Sequence, residues 1–170
     1  HYQGEDPNSE DPAVIAKAVP LLKAIRPYIT TFHSSSYIDA LASGDTCLVL
    51  AWSGDIIQAR NRAAEAKNGV NIAYSIPKEG APQWFDMLAI PKDAKHIDEA
   101  YAYINNLLDP KVMAANSNFI SYPNAIPATK AMILPEITSD PTLYPPPEVA
   151  EKLWTFTVVP PKVAEQYTRI

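Results

Sequence analysis

Thr46-Cys47-Leu48-Val49-Leu50-Ala51-Trp52-Ser53-Gly54-Asp55 is the stretch on which the fold turns. Its first seven residues are almost wholly apolar, yet far short of the ~20 that a membrane-crossing helix needs. A run of that length reads as a strand, buried on both faces. Ser53, Gly54 and Asp55 end the run and open a helix, which the spacing predicts from about Gly54 to Lys67. Asn68-Gly69 marks its break. A strand that turns directly into a helix is the repeating unit of an α/β protein.

The same alternation continues on either side. Upstream, Asp11 to Arg26 reads as a helix: Asp11 caps, Pro12 suits the first helical position, and Ile15, Val19, Leu22 and Ile25 recur at spacings of three and four. Pro20 should kink or restart it. Tyr28 to His33 alternates and is rich in β-branched and aromatic residues, as a short strand is. Ser34, Ser35 and Ser36 offer caps to a helix through Tyr37, Ile38 and Leu41 that ends at Gly44.

Downstream, Val70 to Ser75 and Trp84 to Ile90 read as strands around a Pro77–Gly80 turn. Ile97 to Leu108 is an amphipathic helix stopped before Pro110, and Lys111 to Asn116 a shorter one. Beyond Tyr122 the chain is punctuated by proline, with last helices at Glu148–Trp154 and Lys162–Arg169. This order predicts the α/β class, with ligands held where strands end and helices begin.

Composition limits what such a protein does. Hydrophobic residues make up 47% of the 170 and charged ones 19%, which excludes a wholly disordered chain. Nineteen acidic against fourteen basic residues leave a net charge of -5, the wrong sign for a nucleic-acid binder but compatible with a cationic ligand. Seventeen prolines against five glycines imply rigid turns and helix starts rather than flexible linkers. The chain starts at His1 without Met or leader, and neither end reads as a natural terminus.

Catalytic and metal signatures do not stand out. His1, His33 and His96 lie far apart in sequence, so no zinc site is expected, and no cofactor is implied. Neither a phosphate-binding loop nor a dinucleotide fingerprint nor a nucleophile elbow occurs. Cys47 has no partner within the chain. It reads either as a small buried hydrophobe or as half of a disulfide completed elsewhere.

What the chain does offer is aromatic–carboxylate pairs. Trp52 precedes Asp55 by three residues, Trp84 precedes Asp86 by two, and Tyr122 sits in a Ser-Tyr-Pro-Asn turn. One reading is structural: Asp55 stabilises a helix N-terminus, Trp52 and Trp84 are core, and Tyr122 packs a turn. The other is a site for an elongated organic cation, with rings against its methylenes and carboxylates on its ammonium groups. A carboxylate enzyme using Asp55 and Asp86 as an acid/base pair is a third possibility.

Several segments in order carry a family resemblance. They are Gly4-Glu5-Asp6-Pro7-Asn8-Ser9, Phe32-His33-Ser34-Ser35 with Tyr37-Ile38, Ala42 to Cys47, Trp52-Ser53-Gly54-Asp55, Ala66 to Val70, Ser75 to Ala81, Phe85-Asp86, Ala125 to Lys130, and Tyr144-Pro145-Pro146. Together they make the chain resemble, over nearly its whole length, the distal part of the periplasmic polyamine-binding proteins, which serve ATP-driven importers.

The resemblance implies a two-lobed, hinged α/β receptor of the periplasmic-binding-protein-like type II class, present here as a partial chain. Residues 1–65 would belong to lobe two, 66–133 to lobe one and 134–170 to lobe two again. It implies capture of putrescine or spermidine in an interdomain cleft and delivery to the membrane permease of an ABC transporter. The chain itself would be periplasmic, neither membrane-embedded nor catalytic. Trp52, Asp55, Trp84, Asp86 and Tyr122 match ligand-binding positions, Trp84 standing where an aromatic, often Phe, is usual.

By the same resemblance, one wall of the cleft is contributed by residues upstream of His1. The 170 residues alone should then bind polyamine no better than about millimolar, with Cys47 a buried free thiol in this chain whose partner lies upstream. A receptor for a different cationic solute is the remaining alternative.

Overall fold

The computed structural model describes residues 1–170, which separate into two compact units. Unit 1 comprises residues 1–33, 77–84 and 148–170; unit 2 comprises residues 34–76 and 85–147.

In unit 1, α1 (Pro12–Ala16) is capped by the Asp11 carboxylate, which accepts from the Ala13 amide at 2.8 Å. The helix restarts as α2 (Ala18–Ile25), which places Pro20 in its first turn. A proline is harmless there, because the missing N–H would have had no intrahelical partner. Ile15 of α1 and Val163 of the C-terminal helix, Pro161–Tyr167, are the buried apolar side chains of this unit. Pro82 and Trp154 form an isolated parallel bridge, with the Gln83 amide donating to the Trp154 carbonyl at 2.7 Å. Gly80 is obligatory beside it: its φ is +105°, and a Cβ would stand 2.0 Å from the Lys152 carbonyl oxygen.

Unit 2 is organised around one helix. After α3 (Tyr37–Ser43), which ends on Gly44 at φ 84°, comes α4 (Ser53–Ala66), ending at Lys67 in the left-handed region. Ile56 and Ala59 of α4 join Tyr37 and Leu41 in one apolar cluster. Ile57, on the neighbouring face, joins Ala114, Ile133, Ile137 and Leu143 in another. Ala59 is fully buried, and so small a side chain lets α3 lie close against α4.

The second cluster is completed by α6 (Pro110–Ile120), the end of a 3-10 turn over Pro127–Met132, and α7 (Pro135–Thr138), while α5 (Ile97–Leu108) packs on α6. The Asp109 carboxylate caps α6 through the Lys111 and Val112 amides, and Pro110 at the first helical position ends α5 while starting α6. A short helix, α8 (Pro147–Ala150), then leads the chain into unit 1, where α9 (Pro161–Tyr167) closes it. None of these helices is long and apolar enough to cross a membrane.

Most helices thus follow the sequence pattern, but the expected Glu148–Trp154 helix stops at Ala150, with Trp154 in the bridge to Pro82. The expected Lys111–Asn116 helix runs on to Ile120, Ser36 caps α3 without a side-chain cap bond, and the predicted strands do not form. Residues 28–33, 46–52, 70–75 and 84–90 carry no strand ladder, and residues 26–28 are a 3-10 turn instead. The period-two pattern nevertheless survives as side-chain alternation. Val49 and Ala51 pack on the Tyr37 cluster while Leu48 and Leu50 are 89% and 98% exposed; Ile72 and Tyr74 pack there while Asn71 and Ala73 face out. A strand buries its second face and satisfies its backbone only through neighbours, and no other segment pairs with these.

Two expectations are corrected by this. The Thr46–Trp52 run is buried on one face, not two, and Cys47 is an exposed free thiol rather than a buried one.

Candidate functional site

The strongest polar constellation lies at the start of α4. Trp52 is its N-cap, in extended backbone, and Asp55 falls in its first turn, where the helix macrodipole favours a negative charge. Both carboxylate oxygens of Asp55 are engaged. The Tyr37 hydroxyl donates to Oδ2 at 2.5 Å, and the Tyr122 hydroxyl donates to Oδ1 at 2.9 Å. One donor comes from α3, the other from the loop after α6.

Local geometry explains how Tyr122 arrives there. Ser121 ends α6 in the left-handed conformation, φ 59°, with its amide bonded to the Ser117 carbonyl at 2.9 Å. Pro123 forbids any helical continuation. Asn124 then pins the loop: its amide nitrogen donates to the buried Ser117 hydroxyl at 2.8 Å, and its Oδ1 accepts from the Ile126 amide at 2.8 Å. The buried Thr129 hydroxyl lies 3.0 Å from the same Oδ1 and 2.7 Å from the Ile126 carbonyl, to which its proton is also available.

The phenols are correspondingly hard to ionise. Burial, then the hydrogen bond to Asp55 and its charge, push Tyr37 up to about 12, opposed by the Trp52 amide that faces its oxygen. The same causes raise Tyr122 further, against the Asp55 amide. Both therefore stay protonated donors at neutral pH. Asp55 is the acceptor in this network, and each of its oxygens keeps lone-pair capacity for a further donor such as an ammonium group.

Of the five residues singled out from sequence, the structure brings Asp55 and Tyr122 into contact, and Trp52 is the N-cap of the helix that carries Asp55. Trp52 is 42% exposed. Trp84 belongs to unit 1, where its ring lies 5.0 Å from that of Phe156, centroid to centroid and tilted by 43°. Asp86 belongs to unit 2 and is exposed. Tyr37 was missed. An aromatic on an apolar helix face reads as core, which it also is, and only its place in the Phe32–Ile38 segment hinted at more.

Cavities lie elsewhere in each unit. One of about 310 Å³ in unit 1 is walled by Asn8, Phe156, Val163 and Tyr167, and one of about 410 Å³ in unit 2 by Arg60, Lys67 and Ile72. Neither is lined by Asp55.

Comparison with known proteins gives a consistent result. The family model described as bacterial extracellular solute-binding protein matches residues 2–145. The putrescine-binding periplasmic protein PotF of Escherichia coli (strain K12) is 48% identical over 170 residues, 99% of this chain and 46% of the relative. The putrescine-binding periplasmic protein SpuD of Pseudomonas aeruginosa (strain UCBPP-PA14) is 45% identical over 169 residues, 99% of this chain and 46% of its own length. The spermidine/putrescine-binding periplasmic protein 1 of Haemophilus influenzae is 34% identical over 146 residues, 86% of this chain and 39% of its own. The chain spans about half the length of the curated relatives it matches.

Proposed function

The chain belongs to the bacterial extracellular solute-binding protein family, and from that premise we propose that it is a polyamine receptor. It takes up putrescine or spermidine in the periplasm and passes it to the permease of an ABC importer, without catalysis. The observation that carries this reading is the Asp55 carboxylate, held by two phenols in the first turn of a helix whose N-cap is the partly exposed Trp52. Its relatives of 45–48% identity are named for binding putrescine.

Each residue has a chemical role. Asp55 pairs with an ammonium group, and the Tyr122 hydroxyl and Trp52 ring border the same position. The resemblance assigns Asp86 to a second ammonium group and Trp84 to the methylenes, and divides the lobes near residues 65 and 133. An acid/base enzyme is not favoured, because Asp55 is already the acceptor for two phenol donors.

Ion pairs open to water contribute only about 0–1 kcal/mol each. Binding by these 170 residues is therefore expected to be no tighter than about 1 mM, equivalent to about -4 kcal/mol. Site-resolved NMR during a putrescine titration tests the reading. Saturable shifts at Asp55, Tyr122 and the Trp52 indole support it, and an unresponsive site refutes it.

A further inference from the structure

We infer that Tyr37 is a positioning residue for the ligand, fixing the Asp55 carboxylate from behind so that its free lone pairs face an incoming ammonium group. The inference deepens the polyamine reading and rests on it for the identity of the ligand, but its geometry stands on its own.

Three observations converge. Tyr37 is 8% exposed and packed with Leu41, Ile56 and Ala59, so its ring cannot follow a ligand and its hydroxyl is fixed in space. That hydroxyl meets Oδ2 at 2.5 Å while Tyr122 meets Oδ1, so both ends of the carboxylate are held and the Asp55 side chain is kept in one rotamer. The donors come from elements 85 residues apart in number, α3 and the loop after α6, so neither can be replaced by a shift of the other.

An aspartate in the first turn of a helix would otherwise turn back on the free backbone amides there, as an N-terminal carboxylate commonly does. Tyr37 holds it away from that alternative. An acceptor already oriented loses less freedom when an ammonium binds, so the hydroxyl raises affinity without touching the ligand.

The experiment compares the unmutated chain with Tyr37→Phe, which keeps the ring in the core, and with Leu41→Val, which loosens the same cluster and keeps the phenol. Three-bond couplings of the Asp55 side chain report its rotamer, and a putrescine titration reports affinity. The expected result is one Asp55 rotamer in the unmutated chain and in Leu41→Val, averaging in Tyr37→Phe, and putrescine binding about three- to tenfold weaker in Tyr37→Phe alone.

A measurement on the unmutated chain removes dependence on the variant's folding: the Tyr37 hydroxyl proton should exchange slowly and show a nuclear Overhauser contact with the Asp55 β-protons. Absence of that contact overturns the inference. So does an unchanged Asp55 rotamer with unchanged affinity in Tyr37→Phe. If the unmutated chain fails to respond to putrescine, the polyamine reading falls and the inferred role in ligand binding falls with it, whereas a chain that responds equally well with and without the Tyr37 hydroxyl overturns this inference alone.

Discussion

Gly54 lies directly beneath the ring of Tyr122: a Cβ on Gly54 would stand 2.2 Å from Cε2 and 2.3 Å from Cδ2 of that ring. Gly54 is the second residue of α4, where glycine has no conformational advantage, so the contact with Tyr122 is the reason for it. Gly54→Ala is expected to force Tyr122 away from Asp55 and to cost about 1–3 kcal/mol in thermal denaturation. Combining it with Tyr122→Ala should relieve the clash, so the two effects are expected to be strongly non-additive.

Raising the pH should weaken the fold through the same group. An unfolded tyrosine ionises near pH 10, whereas folded Tyr37 does so at about 12 and Tyr122 is also raised. The folded state therefore holds their protons more tightly, and the stability this contributes is complete below about pH 10 and is lost as pH rises towards the folded values. Denaturant midpoints measured from pH 8 to 12 should fall above pH 10, and by less in Tyr37→Phe. Equal slopes in the two proteins would contradict the assignment.

Acid should act through Asp140. Burial alone would raise it, but the Thr142 hydroxyl and amide, with Arg60, outweigh burial and hold it below the usual aspartate value. Its contribution is therefore present above the unfolded value and lost as pH falls through the lower folded one. Stability of Asp140→Asn should equal that of the unmutated chain at the lowest pH and fall behind it at neutrality; a constant difference would argue against it.

How much of this was legible in the sequence depended on whether a signal was local. Gly44, Asn68-Gly69 and Pro110 marked helix ends by backbone chemistry alone, and the helices they bound formed, although the one after Pro110 runs to Ile120 rather than Asn116. The Thr46–Trp52 run advertised a strand equally well, but a ladder depends on neighbouring segments that a one-dimensional pattern does not contain. Its alternation is real on one face only, which is why Leu48 and Leu50 are exposed, whereas Cys47, on the side of Val49 and Ala51, is exposed because the packed part of the run begins only at Val49. Asp55 and Tyr122 were legible as candidates, though not as partners, since 67 residues separate them.

Loss of packing at α4 should be costly. Ile57 is 3% exposed and is the residue through which α4 enters the cluster with Ala114, Ile133, Ile137 and Leu143. Ile57→Ala is expected to cost about 2–5 kcal/mol, read from chemical denaturation. A change below about 1 kcal/mol would show that this cluster is not closely packed.

Cys47 gives a direct chemical check on the Thr46–Trp52 run. Its thiol is free and accessible, so iodoacetamide should label the folded chain at a rate close to that of an unstructured cysteine. Protection of more than about tenfold, measured by intact-mass spectrometry, would instead favour the buried strand that the sequence pattern suggests.

The central claim is that Asp55 receives an ammonium group of a polyamine, and a putrescine titration of the unmutated chain beside Asp55→Asn tests it most directly. The account expects saturable NMR shifts at Tyr122 and the Trp52 indole in the unmutated chain, with a dissociation constant no lower than about 1 mM, abolished in Asp55→Asn although that variant remains folded. Shifts of the same size and midpoint in both proteins, or none at these residues in the unmutated chain, would contradict it.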